Sequence, residues 1–315
     1  MSIVAMSDTV GSLGDEVGRA VARALGYEFA DREIIKTAAA RFGESVLDLQ
    51  HAAEEKPKLW ERFAAAQHRY RAYIEATVFA LAARDNTVLV GRASPIVLGR
   101  TPHTLRVRVD APESLRARRV EQREGLTRDS ALSYMRQTDR DRAARVRFSY
   151  GVELGDPLLY DLVLDTERLD VVHCARLIEK TLEHERFRST TESLRAMQDQ
   201  SLLAQARAAL LAHATTRPRR FGLACADGVI TLEGGVDAAQ VRQAAEDVVA
   251  RIPGVTRVQN EIVVAFEPIV NEAEELSHHQ FRHGEERSWG GYGGGWYDRE
   301  WEARRRLGQD SDRVA

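Results

Sequence analysis

The sequence predicts an α/β fold: a parallel-sheet domain followed by a small α+β domain of order αββαβ. Three observations predict it. Short β-branched runs alternate with helical patterns through residues 1–186, which is the signature of a parallel sheet with helices on both faces. From about residue 199 the order changes to helix, strand, strand, helix, strand over some seventy residues. From residue 268 glycine and charge dominate, and such a stretch cannot build a core. At 315 residues the chain is long enough for two domains and a tail.

Ile3 to Met6 reads as a buried strand, followed by a glycine-bearing turn and a helix from about Asp15 to Leu25. Tyr27 to Ala30 is a short strand, and Asp31 is placed to cap the helix that begins REIIKTAAARF. Between Lys58 and Arg84 apolar residues recur at Trp60, Phe63, Tyr70, Ile74, Val78 and Leu81, predicting one long amphipathic helix. Thr87 to Val90, Leu105 to Val109 and Leu162 to Leu164 are further strands. The last of these leads to a helix over Val171 to His184.

Residues 187–198 are polar and without a sheet pattern, and are expected to form a linker, helical or not. In the small unit, 199–267, Leu202, Leu203, Ala206, Leu210 and Leu211 mark a helix. Phe221, Leu223 and Cys225 alternate as a strand, Ala226-Asp227-Gly228 reverses the chain, and Val229 to Glu233 form the second strand. Gly234-Gly235 is expected to end that strand, Asp237 to cap the next helix, and Pro253-Gly254 to stop it before a last strand over Val255 to Phe266. This unit is expected to fold alone on a flexible tether. The tail, 268–315, holds His278, His279 and His283 with no ligating partners nearby, so a solvated role is expected there.

Composition excludes several classes. Charged residues are 30% of the chain but the net charge is only -3, which argues against nucleic-acid binding by the chain as a whole. Cys174 and Cys225 are the only cysteines, too few for a disulfide framework or a zinc site. The N-terminus lacks the basic region of a signal peptide, and no run approaches the roughly 18 apolar residues of a spanning helix. A cytoplasmic protein is expected.

Chemistry concentrates in two places. In QTDRDRAARVRFSYGVELGDPLLYDLVLDT, residues 137–166, Arg140, Arg142, Arg145 and Arg147 alternate with Asp139 and Asp141. Such a guanidinium cluster suits phosphate oxygens, which arginine binds in a planar, bidentate way; the competing reading is a solvated helix laced with ion pairs. After the first strand, TVGSLGDEVG (9–18) keeps Gly11, Ser12 and Gly14 of a phosphate-binding loop ahead of a helix N-terminus. The lysine of GxxxxGK[ST] is absent, and Asp15 and Glu16 follow where hydroxyl or neutral residues are usual.

DRDRAAR followed by YDLVLDTERL resembles the lid and last core strand of the bacterial cytidylate-kinase-like family, and GYEFADREII and VLVGRASPIVLGR resemble that family's acceptor-side segments. The resemblance spans 1–186 and implies a P-loop nucleoside-monophosphate-kinase fold. It implies that Arg92 clasps the acceptor monophosphate, that Asp31 belongs to the nucleotide site, and that Arg140, Arg142 and Arg145 close over the transferred phosphoryl group with Asp139 and Asp141 orienting them. Mg²⁺ with ATP would be the cofactor of an active member. The loop departs from the family's SREYGSGGREIA: Asp8 and Asp15 stand at arginine positions and Leu13 at a glycine, and Ala93 replaces an aspartate of cytidylate kinases proper. DGVITLEGGV and PGVTRVQNEIVV resemble the BON domain, which implies a binding module, its ligand a protein or a phospholipid surface, and no chemistry. Three functions therefore stand: a protein binding a CMP-like nucleotide, with or without ATP, and with phosphoryl transfer weak or lost; an active ATP-dependent (d)CMP-type kinase; or a scaffold assembling through its BON domain.

Overall fold

The computed structural model of the chain describes residues 2–31, 33–43, 45, 60–99 and 101–265. The tail and its histidines lie outside these, as do the side chains of Trp60 and Phe63. Five strands, β1 (Ile3–Asp8), β2 (Glu28–Ala30), β3 (Thr87–Val90), β4 (Thr104–Asp110) and β5 (Leu162–Asp165), form one parallel sheet in the order β2-β3-β1-β4-β5. The chain moves outward from β1 in both directions, so a crevice opens between the carboxyl ends of β1 and its neighbours. Ligands of open α/β sheets bind at such a switch point.

β1, β3 and the middle of β4 are buried on both faces, which is why they read as continuous apolar runs. On one side α1 (Gly14–Leu25) and α7 (Val171–Leu182) cover Val4, Met6, Val88, Leu105 and Val107. On the other, α2 (Glu33–Phe42), α3 (Trp60–Ala82) and α4 (Ser94–Val97) cover Ile3, Ala5 and Leu89. A third small core joins Val10 to Ala117 and Val120 of α5 (Glu113–Glu124) and to Ala131 and Met135 of α6 (Arg128–Tyr150).

The segment 187–198 is not a linker. A 3-10 turn (Glu185–Phe187) leads to Thr190, which caps α8 (Thr191–Ala212) in a reciprocal box with Ser193. Met197, Ala204 and Ala208 of α8 enter the core beneath α3, whereas Leu202, Ala206 and Leu210 enter the core of the second unit. Ala204 and Ala206 are two residues apart, about 200° around a helix, so α8 is buried on opposite faces. A polar start and a two-sided apolar pattern hide this role from a search for one amphipathic stripe.

The second sheet runs β6 (Gly222–Ala226), β7 (Val229–Val236), β8 (Arg257–Val264), with β6 and β7 antiparallel and β7 and β8 parallel. Asp227 and Gly228 have φ of 50° and 77°, and Asp199 of α8 accepts both of their amides at 2.9 Å. Gly234-Gly235 does not end β7: pairing continues through Gly234↔Ile262 and Val236↔Val264, because β8 is long enough to hold those backbone groups. Likewise α9 (Ala239–Ala250) has Ala238 at its N-cap, and Asp237 pairs with Arg219 instead. Among the described residues no helix is long and apolar enough to cross a membrane.

Candidate functional site

β1 delivers Asp8 to the carboxyl edge of the sheet, and the chain then turns tightly through Thr9–Leu13 into α1. Gly11 has φ 82°, and a Cβ there would lie 2.7 Å from the Arg116 carbonyl oxygen; a Cβ on Gly14 would lie 2.3 Å from that of Asp8. The turn therefore requires glycine at both places. Leu13 occupies the same left-handed region at φ 67°, which costs a branched residue about 1–2 kcal/mol.

Side chains from three other elements lace this loop. Val10 donates its amide to Asp139 Oδ1 at 3.0 Å, and Arg116 donates to Asp139 Oδ2 at 2.6 Å and to the Val10 carbonyl at 3.0 Å. Arg119 donates to the Gly11 carbonyl at 3.2 Å and to Thr166 Oγ1 at 2.8 Å, and Thr166 donates in turn to the Ser12 carbonyl at 2.9 Å. Ser12 is fully buried and its hydroxyl donates to the Thr9 carbonyl at 2.8 Å, so it is turned away from the cleft. Arg116, Arg119 and Thr166 escaped the sequence reading; Arg116 and Arg119 stand three apart on one face of the helix after β4, and that spacing was their signal.

Beside the loop lies a cleft of about 190 Å³. It is lined by Asp8, Asp15 and Asp31 together with Tyr70, Arg71, Arg92, Arg123, Arg142 and Arg145. After β3, Gly91, Arg92 and Ala93 all have positive φ (78°, 53° and 56°), a sharp turn that sets Arg92 into the cleft before α4 begins. Arg92 lies beside the Tyr70 phenol, whose pKa is raised by burial and held back by Arg92 and Arg145. Arg145 is half-buried and has no ion pair or hydrogen bond among the described residues. Burial lowers its proton affinity, and the neighbouring cations Arg92 and Arg142 lower it further against the pull of Tyr70 and Asp141. Arg142 donates to the Asp8 carbonyl at 3.4 Å and stands 3.7 Å from its carboxylate. Burial raises the Asp8 pKa to about 6; Arg142 opposes the rise, and Asp15, Asp139 and Asp31 add to it.

Of the expected site residues, Asp31, Arg92, Arg142 and Arg145 meet at the cleft, and Gly11 and Gly14 shape the turn beside it. Asp31 also lies 4.0 Å from Arg19. Arg140 does not join them: two residues from Arg142, it is rotated about 200° around α6, is exposed, and donates to Gln137 Oε1 at 3.3 Å. Asp139 does not orient the arginines of its own helix but binds Arg116 and the loop amide. No group of three metal-ligating side chains exists among the described residues. With Ser12 turned inward, the residues present do not build a Mg²⁺ cage, and the ion fits here only as the companion of bound phosphates.

Residues 3–168 match the model of the cytidylate kinase-like family, and residues 198–265 match that of the BON domain. A cytidylate kinase of Methanoculleus marisnigri is 32% identical over 100 residues, 32% of this chain, a stretch that spans only 54% of that enzyme. Another, from Pyrobaculum calidifontis, is 26% identical over 178 residues, 56% of this chain and 90% of the relative. A solved structure of an uncharacterized protein from Eubacterium ventriosum is similar at 19% identity, with a TM-score of 0.47 over 59% of this chain and 100% of that one. The family match takes in more than half of the sequence, the residues lining the cleft and the loop beneath it, so the chain belongs to the cytidylate kinase-like family and carries a BON domain after its kinase-fold unit.

Proposed function

We propose that the cleft binds a CMP-like nucleoside monophosphate and that phosphoryl transfer from ATP is weak or lost. The observation that carries this reading is Arg145: a half-buried guanidinium beside Arg92 that makes no ion pair or hydrogen bond among the described residues. Two adjacent cations without an ion pair among the described residues favour a bound anion, and a phosphate monoester answers both with bidentate, charge-assisted hydrogen bonds. Asp31, which also lines the cleft, is placed to accept from a sugar hydroxyl or a base amine.

The donor side supports the second half of the proposal. No lysine follows the loop glycines, Asp8 and Asp15 present negative charge where a triphosphate would lie, and the Val10 amide is already committed to Asp139. Phosphoryl transfer relies on positioning and charge neutralisation more than on covalent help from the protein. Magnesium bound with ATP would supply part of that neutralisation. Arg142 is a cation beside the loop, and Asp8 occupies it. The BON unit is read as a binding module whose ligand is a protein or a phospholipid surface, in a cytoplasmic protein. An active (d)CMP kinase is the second reading, favoured by the intact turn geometry at Gly11 and Gly14.

Calorimetric titration of the full chain with CMP, dCMP and ATP with Mg²⁺, alongside a coupled ADP-release assay, tests this. CMP should bind, Arg145→Gln and Arg92→Gln should each weaken it tenfold or more, and turnover should stay far below about 1 s⁻¹. Turnover at 1–100 s⁻¹ would establish the active kinase instead. No binding of any nucleotide would leave the scaffold reading.

A further inference from the structure

We propose that Asp8 is a specificity-determining residue that limits the cleft to one anion at neutral pH, by holding Arg142 as an internal stand-in for a donor phosphate, and that protonation of Asp8 opens a second anion subsite. The inference rests on the reading of Arg92 and Arg145 as the monophosphate anchor, and it concerns a different cation of the cleft, Arg142.

The geometry is a clamp within one residue pair. The Arg142 guanidinium donates to the Asp8 carbonyl at 3.4 Å and lies 3.7 Å from its carboxylate, so both the backbone and the side chain of Asp8 face it. Gly14 packs against Asp8 and makes room for its side chain by having none of its own: a Cβ there would stand 2.3 Å from the Asp8 Cβ and 3.1 Å from a carboxylate oxygen. The charged groups facing Asp8 are Arg142 and Asp139 from α6, Asp15 from α1 and Asp31 from the turn after β2. Asp139 is engaged by Arg116, so Arg142 is the cation on which Asp8 depends. Three carboxylates around one arginine make a poor place for a second phosphate while Asp8 is ionised. Once Asp8 takes a proton, Arg142 is released toward the cleft, where only Asp15 and Asp31 oppose it. Burial and the neighbouring carboxylates raise the Asp8 pKa to about 6, which puts this transition in the mildly acidic range.

If an anion binds only the protonated form, its apparent affinity scales with the protonated fraction. For a group titrating near pH 6 that fraction rises from about 1% at pH 8 to about 90% at pH 5, an increase of up to roughly 90-fold. The probe is sulfate, whose charge is constant over that range, titrated into the full chain saturated with CMP so that the Arg92–Arg145 position is filled. Wild type should gain at least tenfold in sulfate affinity between pH 8 and pH 5. Asp8→Asn should bind sulfate at pH 8 as tightly as wild type does at pH 5, with little pH dependence, and adding Arg142→Gln should abolish that gain. A flat wild-type profile, an unchanged profile in Asp8→Asn, or a gain that survives Arg142→Gln would overturn the proposal. Sulfate titration without CMP keeps the test separate from the monophosphate reading: if CMP fails to bind while the dependence on Asp8 and Arg142 remains, the anchor reading falls and the gate stands. Should Asp8→Asn fold poorly, Arg142→Gln alone decides, since it must remove the acid gain from wild type.

Discussion

Replacing Met197 by alanine should destabilise the kinase-fold unit, although the residue lies outside the family-matched segment 3–168 and within the stretch that reads as a linker. Met197 is 1% exposed and packs in the core with Tyr73, Phe79 and Leu81 of α3. Truncating a buried methionine costs its transfer free energy plus a cavity term, together about 2–4 kcal/mol. In a unit of this size each kcal/mol moves the midpoint by about 2–4 °C, so a loss of roughly 5–15 °C is expected by differential scanning calorimetry. Val263→Ala, on a residue 66% exposed on β8, is the control and should stay within about 0.5 kcal/mol. The two fragments should behave unequally. Residues 199–266 contain their whole core, including Leu202, Ala206 and Leu210, and should fold alone by circular dichroism. Residues 1–186 lose Met197, Ala204 and Ala208 and should melt well below the intact chain. A Met197→Ala protein with unchanged midpoint, or a 1–186 fragment as stable as the whole, would refute the idea that α8 completes the first core.

The acid dependence of stability follows from Asp8. Its folded pKa of about 6 lies above the unfolded value of 3.8, so the folded state holds this proton more tightly. Its contribution is full below 3.8 and is lost as pH rises through 6, amounting to about 3 kcal/mol. The urea-unfolding difference between wild type and Asp8→Asn should therefore shift by that order in favour of wild type between pH 8 and pH 4; a constant difference would contradict it. Asp139→Ala should cost about 2–3 kcal/mol, because Arg116, 12% exposed, is left with only the more distant Asp110 at 3.9 Å, and it should speed amide exchange at Val10; equal exchange would mean the bond is not formed in solution. Gly14→Ala should destabilise by at least 1–3 kcal/mol through the clash with Asp8, and wild-type stability in that variant would show the turn to be looser than described.

Much of the architecture was legible because β1 and β3 are buried on both faces and helices punctuate them. The cleft was legible in part. Arg92 follows a strand ending in glycine, and Arg142 and Arg145 share one side of α6, so spacing alone brings them together. Arg140 looked equivalent because a run of alternating charges conceals the 100° step between successive residues. Ser12 looked like a ligand because hydroxyl identity says nothing about direction, and Thr9 supplied a nearer acceptor. The loop arginines Arg116 and Arg119 and the partners of Asp139 depend on which helices pack together, a long-range fact that no local pattern carries. The same holds for α8, whose two small-residue faces cancel any single-sided periodicity.

That α8 finishes a core begun far upstream has a consequence for synthesis. When residue 186 has been made, the surface of α3 that receives Met197, Ala204 and Ala208 is still bare. Roughly 25 more residues must be added, about 1–5 s at ordinary translation speed. During that interval the nascent kinase unit presents an open apolar seam, the kind of surface that chaperones hold and that neighbouring nascent chains stick to. A ribosome pause before residue 212 would prolong this state. The vulnerable moment in the life of this protein is thus set by the order in which its residues are made.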